Sequence, residues 1–147
     1  MKSRASTSQN PLLLAELARE MAGAINNVVP PGFTVMASWV TDDPMVILVH
    51  DGVGIRGVTL SQAEMRALRG NNEDLSGYLE AVLSEALSQF QDEIVESLGT
   101  PWPQTTESKG LPLHGTKVEG DFLQGWYGAE ENPVLALRPI PAPKSGS

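Results

Sequence analysis

Residues Ser76 to Leu98 read SGYLEAVLSEALSQFQDEIVESL, and this stretch decides the fold. Apolar side chains recur in it every three or four residues, the pattern of a helix with one apolar face. They are Tyr78, Leu79, Val82, Leu83, Ala86, Leu87, Phe90, Ile94 and Leu98. The helix is predicted to end at Leu98, because Gly99 can adopt a left-handed conformation and Pro101 cannot continue a helix. An apolar stripe of this length must be covered by a sheet or by another helix.

A second amphipathic helix is predicted nearer the N-terminus. It begins at Asn10-Pro11, because asparagine can cap free amide groups and proline is favoured at the first helical position. Pro30-Pro31-Gly32 ends it. Its apolar stripe consists of Leu14, Leu17, Met21, Ile25 and Val28.

Three strands of an antiparallel meander are predicted next. Residues 33–41 alternate as a strand does, with both faces fairly apolar. Met45–His50 is a continuous apolar run, which is typical of a central strand covered on both faces. Asp51-Gly52 predicts a two-residue hairpin turn, and Val53–Leu60 returns as the third strand, in which two glycines permit a bulge.

The remaining elements are a short helix and short C-terminal strands. Ser61-Gln62-Ala63-Glu64 is a capping box that starts a helix reaching about Arg69, and Asn71–Leu75 is predicted to be a loop. Short strands are predicted over Thr116–Glu119, Phe122–Tyr127 and Val134–Arg138. The order is therefore helix, three-stranded meander, short helix, long helix, and two or three short strands. This is an α+β fold, and we expect both main helices on one face of the sheet.

The sequence predicts one folded domain with a segment on each side. A chain of 147 residues can bury a real core as a single domain, which we place at residues 10–138. Residues 1–9 lack periodicity and are predicted to form a flexible arm. Residues 139–147 hold three prolines among small polar residues and are predicted to form an extended tail.

The composition excludes several classes of function. Cysteine is absent, so disulfides, thiolate nucleophiles and cysteine-ligated zinc are excluded. A net charge of −8 and scattered basic residues argue against direct binding of nucleic acid. The apolar runs are far shorter than a membrane span, and no signal-peptide pattern occurs. We therefore expect no membrane contact and a cytoplasmic location, or a place in a virion if a phage encodes the chain.

The long helix carries an unusual pattern of charge. From Asn71 to Leu98 there are seven acidic residues and no basic one. Asp92, Glu93 and Glu96 lie in the last two turns, where the helix dipole disfavours negative charge by roughly a few tenths of a kcal/mol each. Glu93 also falls inside the apolar arc. Breaks of a local rule are more common at functional or interface positions, so this cluster is a candidate contact surface.

Three interpretations of the acidic cluster remain open. In the favoured one it is a solvated face, and Glu93 at the core margin pairs with one of three arginines, Arg19, Arg56 or Arg138. In the second it docks a basic partner, including another copy of this chain. In the third it holds a divalent cation, although no histidine or other ligand completes the set. We predict no metal site and no cofactor.

No set of catalytic residues is complete, so we expect that the protein is not an enzyme. His50-Asp51 could act as a base and its orienting group, but adjacent strand residues point to opposite faces. No Gly-x-Ser-x-Gly occurs. The main alternative is an enzyme or small-molecule-binding protein with a site near His50, Asp51 and Trp126. Trp39 is expected in the core, and Trp102 is expected to anchor the chain where it leaves the long helix.

Several C-terminal segments resemble small uncharacterised proteins of actinobacteria and their phages. These segments are Gln91–Glu96, Trp102-Pro103, Leu111–His114 and the strand that bears Trp126. Cysteine and histidine are expected near the tryptophan segments of such proteins, and this chain departs from that pattern because it has no cysteine. The resemblance implies no established activity. The order of elements is also similar to that of small phage head–tail and tail-completion proteins, a likeness of fold alone.

The sequence therefore predicts a non-catalytic protein–protein interaction or structural subunit of a larger, phage-like assembly. Its partner is another protein or a second copy of the chain. The expected contact residues are Asp92, Glu93, Glu96, Lys2, Arg4 and Trp102. Besides the small-molecule site, one more alternative remains, an acidic regulator or inhibitor that mimics nucleic acid and binds a nucleic-acid-binding protein.

Overall fold

The computed structural model describes residues 2–39, 42–68, 70–104 and 111–143, with side chains from residue 14 onward. Within these ranges the chain forms three helices and two antiparallel sheets, which confirms the predicted α+β class. The helices are α1 (Lys2–Asn26), α2 (Gln62–Ala67) and α3 (Asn72–Leu98). The strands are β1 (Phe33–Ser38), β2 (Met45–His50), β3 (Val53–Thr59), β4 (His114–Glu119), β5 (Phe122–Ala129), β6 (Asn132–Ala136) and β7 (Ile140–Pro141).

The two sheets follow each other along the chain. The first has the strand order β1–β2–β3, and the second has the order β4–β5–β6 with β7 also paired to β5. β6 and β7 lie along the same edge of β5, and between them the Leu137 amide donates to the Gly125 carbonyl. The sequence does not indicate that the strands divide into two sheets, because strand pairing is non-local and leaves no mark on a single segment.

One hydrophobic core lies between the helices and the sheets. α1 packs on β1, β2 and β7, whereas α3 packs on β4, β5 and β3. In the first sheet the alternate side chains that enter the core are Phe33, Val35, Val46, Leu48 and Val58. The two long helices share this face of the first sheet, as expected, and α3 in addition covers the second sheet.

The long helix begins four residues before the predicted start at Ser76. The Asn71 side chain accepts a hydrogen bond from the Asp74 amide at 3.0 Å, so Asn71 is the N-cap and the predicted loop at Asn71–Leu75 is wrong. Glu73 and Asp74 lie in the first turn, where the helix dipole favours carboxylates. Gly99 ends the helix in the left-handed region with φ 72°, as predicted.

The ends of the domain also differ from the prediction. α1 starts at Lys2 rather than at the predicted Asn10, so the backbone of the segment predicted to be a flexible arm is helical. At the other end, Ile140 is fully buried in a short strand, so the first part of the predicted tail belongs to the sheet. Residues 144–147 lie outside the described part of the chain.

Two local predictions are confirmed by the backbone. Asp51 and Gly52 both have positive φ, 53° and 82°, which is the geometry that a tight turn between β2 and β3 requires. Ser61 caps α2 by accepting from the Glu64 amide at 3.0 Å. The Ser61 amide itself donates to the Tyr78 hydroxyl at 2.7 Å, which ties α2 to α3.

Polar contacts in the core tie α3 to the segments that follow it. The Tyr127 hydroxyl donates to the Leu87 carbonyl at 2.6 Å, and its ring meets Trp102 edge-on. The buried Gln91 side chain donates to the carbonyls of Trp102 and Pro112. Trp102 is thus the anchor that the sequence predicted. Among the helices described, none is long and apolar enough to cross a bilayer.

Candidate protein-binding face

Among the residues that the structure describes, β2 is covered on only one of its two faces. Val46 and Leu48 are fully buried against the helices, whereas Met45, Ile47 and Val49 on the other side are only half-buried. The prediction that both faces are covered therefore holds for only one face within the described ranges. The strand has the continuous apolar sequence of a strand that is covered on both faces, but the described residues cover only one of its faces.

The uncovered side of the first sheet is a continuous surface of three rows. We call these nine residues the open face. The strand register gives the rows as Thr34–Val49–Gly54, Met36–Ile47–Gly57 and Ser38–Met45–Thr59. Three strands about 4.8 Å apart, each spanning about 20 Å, give roughly 300 Å². This is the footprint of the whole face, including the hydroxyl side chains of Thr34, Ser38 and Thr59, so the exposed apolar area is smaller.

The open face carries no ionisable side chain. Within β1, β2 and β3 only His50 and Arg56 can ionise. The His50 ring stacks on Phe33 with ring centroids 4.3 Å apart, on the covered side of the sheet. Arg56 reaches α3, where it pairs with Glu93. In a chain of net charge −8, this surface is therefore distinctive for its lack of charge.

The open face has a raised side and a recessed side. On β1, the Met36 side chain projects and is 50% exposed. On β3, Gly54 and Gly57 present no side chain, and a shallow cleft of about 330 Å³ lies along them, lined in addition by Ile55 and Arg56. Met45 extends over Gly57, because a Cβ placed on that glycine would lie 2.5 Å from Met45 Cε.

A bulge in β3 sets the direction of Arg56. The register with β2 shifts between Leu48 and Val49, so that Ile55 has no partner across the ladder. Arg56 pairs with Leu48 and points to the covered side, where its Nε donates to Glu93 Oε2 at 3.0 Å. The bulge that the glycines of β3 were predicted to permit is therefore present.

Most of the sheet edges are less available than the open face. On the free edge of β1, the Val35 amide donates to the Asn26 side chain at 2.9 Å. On the free edge of β4, the Val118 amide donates to Glu80 Oε2 at 2.7 Å. β6 contains Pro133, which has no amide hydrogen to donate. Such features hinder the addition of a further strand at three of the four sheet edges in the described ranges, the free edge of β3 being the fourth.

The predicted acidic cluster does not form a single site. Glu93 pairs with Arg56, one of the three arginines that the sequence offered, and its side chain is only 18% exposed. Asp92 and Glu96 remain exposed. No three histidine, aspartate or glutamate side chains in the described ranges are close enough together to hold a metal. The solvated-face interpretation therefore fits Glu93, and the cation interpretation has no geometric support.

The other predicted contact residues fall into two groups. Trp102 is 8% exposed and packs against Tyr127, so it offers little surface to a partner. The side chains of Lys2 and Arg4 lie outside the part that the structure describes.

Trp39, expected in the core, is 45% exposed, because it lies just past the end of β1 rather than within the buried row.

The alternative small-molecule site is not assembled. His50 Nε2 and Asp51 Oδ2 lie 3.6 Å apart, closer than a regular strand allows, because Asp51 adopts the left-handed turn conformation. Asp51 is nevertheless open to solvent, with its side chain 80% exposed. Trp126 lies over Gly115 in the second sheet, and the cleft that Trp126 lines contains neither His50 nor Asp51.

One polar pair escaped the sequence analysis. Ser84 Oγ and His114 Nε2 lie 2.7 Å apart, joining α3 to the first residue of β4. In the described ranges no carboxylate contacts His114 to complete a triad, and Ser84 lies inside a helix rather than on an exposed turn. The pair therefore fastens β4 to α3. Nothing in the sequence indicates it, since the two residues are 30 positions apart.

The sequence matches no known family model, no curated protein and no solved structure.

Proposed function

We propose that this protein is a non-catalytic subunit that works by binding another protein chain through the open face. The observation that carries the proposal is the uncovered side of β2, where Met45, Ile47 and Val49 are only half-buried in a strand with the sequence of an enclosed one. If a second protein covers that side, each Å² of apolar surface removed from water contributes about 25 cal/mol of favourable free energy.

The chemistry of the open face supports a protein partner. Its methionines are flexible and adapt to a partner surface, and such side chains are common at binding surfaces. Thr34, Ser38 and Thr59 at the rim supply hydroxyl groups for hydrogen bonds. The lack of charge argues against a nucleic acid or a strongly basic partner at this face. A larger, phage-like assembly is one setting in which such a subunit would act, and it remains part of the proposal.

Photo-crosslinking in the native cells tests the proposal. A photoreactive amino acid replaces Met36 on the open face, and in a control variant it replaces Val134, an exposed residue of β6. We expect an adduct with one defined protein from position 36, mapped to one surface of that protein, and none from position 134. Ile47→Lys should abolish the adduct.

The outcomes separate the proposal from its alternatives. No adduct from position 36, together with a specific adduct from position 92, would contradict the proposal and favour the acidic regulator. An adduct that persists in Ile47→Lys would show that the contact does not depend on the open face, and would also contradict the proposal.

A further inference from the structure

The pairing of β3 with β2 shows which backbone groups of β3 point to its free edge. Residue pairs of an antiparallel ladder alternate between pairs that exchange backbone hydrogen bonds and pairs that do not. Just beyond the ladder, the Leu60 amide donates to the Pro44 carbonyl at 2.9 Å. Counting back along β3, Val58 therefore bonds to β2, whereas Thr59 and Gly57 turn their amide and carbonyl groups toward the free edge.

These outward groups have no partner in the part of the chain that the structure describes. There, no strand pairs with the far side of β3, and no hydrogen bond outside the ladder reaches Gly57 or Thr59. Thr59 is exposed and Gly57 is half-buried, so solvent reaches this edge. Two donors and two acceptors, two residues apart along the strand, are the arrangement to which a further strand bonds.

The sequence of β3 does not protect its edge in the way that the other edges are protected. It contains no proline and no lysine, and its one charged side chain, Arg56, is turned to Glu93 on α3. The bulge at Ile55 interrupts only the N-terminal half of the strand. A regular edge is therefore left from Arg56 to Thr59.

An added strand would place alternate side chains beside the open face. Gly57 presents no side chain, and Met45 Cε lies over it, 2.5 Å from the position that a Cβ would take. A side chain opposite Gly57 on the added strand would lie next to this methyl group without displacing it. A large apolar or aromatic side chain suits that position, because it covers the edge glycine from the neighbouring strand.

Resting on the proposed function, we propose that the partner contributes an extended segment that adds to the first sheet beside β3. Its backbone bonds to the outward groups of Gly57 and Thr59, and its alternate side chains are apolar or aromatic where they lie beside Met45. The backbone hydrogen bonds hold the segment, and the side chain opposite Gly57 gives the choice of sequence. The rest of the partner lies over the open face.

Selection from a displayed library of random short peptides tests the proposal on the purified full chain. We expect the enriched peptides to share large apolar or aromatic residues at alternate positions. A synthetic copy of an enriched peptide should slow hydrogen exchange of the Gly57 and Thr59 amides at least about tenfold. The Val58 amide, which already bonds to β2, should be unaffected.

Thr59→Pro tests the edge itself. It removes one outward amide and spares the ladder with β2, since proline is tolerated where an edge amide faces away from its neighbour. Peptide binding should weaken at least about tenfold, whereas Thr59→Val, which retains the amide, should change it less than about twofold. Urea unfolding checks that both variants fold. If the proline variant does not, amide exchange in the unmodified chain decides the question alone.

The failure of this inference is distinguishable from that of the proposed function. A library with no enriched peptide, or a bound peptide that leaves the Gly57 and Thr59 amides exchanging freely, would overturn strand addition. If the adduct from position 36 in native cells then depends on Ile47 and survives Thr59→Pro, the open face binds the partner and only the edge fails. Peptide binding at the edge without any adduct from position 36 would support strand addition and contradict binding through the open face.

Discussion

Arg56 on β3 donates from Nε and Nη2 to the same carboxylate oxygen of Glu93 on α3, across 37 positions of sequence. Glu93 is the residue that breaks the apolar arc of α3, and the pair explains how the helix tolerates a carboxylate there. The Arg56 side chain is 46% exposed, so water and salt weaken the attraction.

We predict that the pair is worth about 1 kcal/mol of stability or less. Arg56→Met should destabilise the protein more than Arg56→Met combined with Glu93→Gln, because the single change leaves a mostly buried carboxylate unpaired. Urea unfolding of the four members of the double-mutant cycle measures the coupling. A coupling of zero at low salt would show that the pair is incidental.

Tyr127→Phe should cost about 1 kcal/mol, because it removes a buried hydrogen bond to the Leu87 carbonyl, which keeps only its partner within the helix. The phenylalanine ring keeps the edge-on contact with Trp102, so the change isolates the hydrogen bond. Leu98→Ala, at an exposed position of α3, the helix that contains Leu87, serves as the control and should cost much less stability. Equal losses of unfolding free energy in the two variants would contradict this prediction.

The protein should lose stability as the pH rises above about 10. Burial, and then the negative charge of Asp92, hold the pKa of Tyr127 well above its usual value of 10.0. Burial also raises the pKa of Tyr78. Both pKa values are raised because the folded state favours the protonated phenols. The stability that these phenols contribute is therefore complete below pH 10 and falls as the tyrosines of the unfolded chain begin to ionise.

Absorbance of tyrosinate measures this directly, since Tyr78 and Tyr127 are the only tyrosines in the chain. We expect both phenols of the folded protein to titrate above pH 10, and the ionisation of Tyr127 to accompany unfolding. A normal titration of both tyrosines in a chain that remains folded would contradict the burial of their hydroxyl groups.

Glu80→Ala should promote aggregation by exposing the edge of β4. The change removes the acceptor for the Val118 amide, which then becomes free to pair with a strand of another chain. Glu80→Gln retains an acceptor oxygen and should aggregate less, and Glu85→Ala on the exposed side of α3 is the control. Thioflavin fluorescence during prolonged incubation compares the three variants. Indistinguishable curves would mean that Glu80 does not protect the edge.

Ser84 should remain unreactive toward an organophosphorus probe of activated serines. Among the described residues no third group orients the imidazole of the Ser84–His114 pair, and Ser84 lies within a helix rather than on a turn that would expose its hydroxyl. Intact-protein mass spectrometry after incubation with the probe is the measurement. Labelling that disappears in both Ser84→Ala and His114→Ala would identify an active nucleophile and favour the enzyme alternative.

Local signals in the sequence located most elements but did not fix their surroundings. Asp51-Gly52, the cap at Ser61 and the stop at Gly99 act over a few residues, and each is present in the structure. The start of α3 was misplaced because the cap at Asn71 was overlooked. The apolar run of β2 correctly indicated a central strand.

The sequence does not indicate which element, or which chain, covers each face of β2. An apolar strand indicates that both faces avoid water, but it does not say whether the cover belongs to the same chain. The helices cover Val46 and Leu48, and no element in the described ranges covers Ile47 to the same extent. From the sequence, the partner of Glu93 could be narrowed to one of three arginines. Only the tertiary structure shows that it is Arg56.

The accessibility of the methionine methyl groups tests the central claim most directly. Isotope-labelled methyl signals of Met36 and Met45 are monitored with a paramagnetic agent in solvent, first in dilute protein and then with the partner bound. The buried Met21 is the reference for full protection. We predict that Met36 and Met45 respond to the agent in dilute protein and become protected in the complex. Methyl groups on the open face that stay equally accessible in both states would contradict the account.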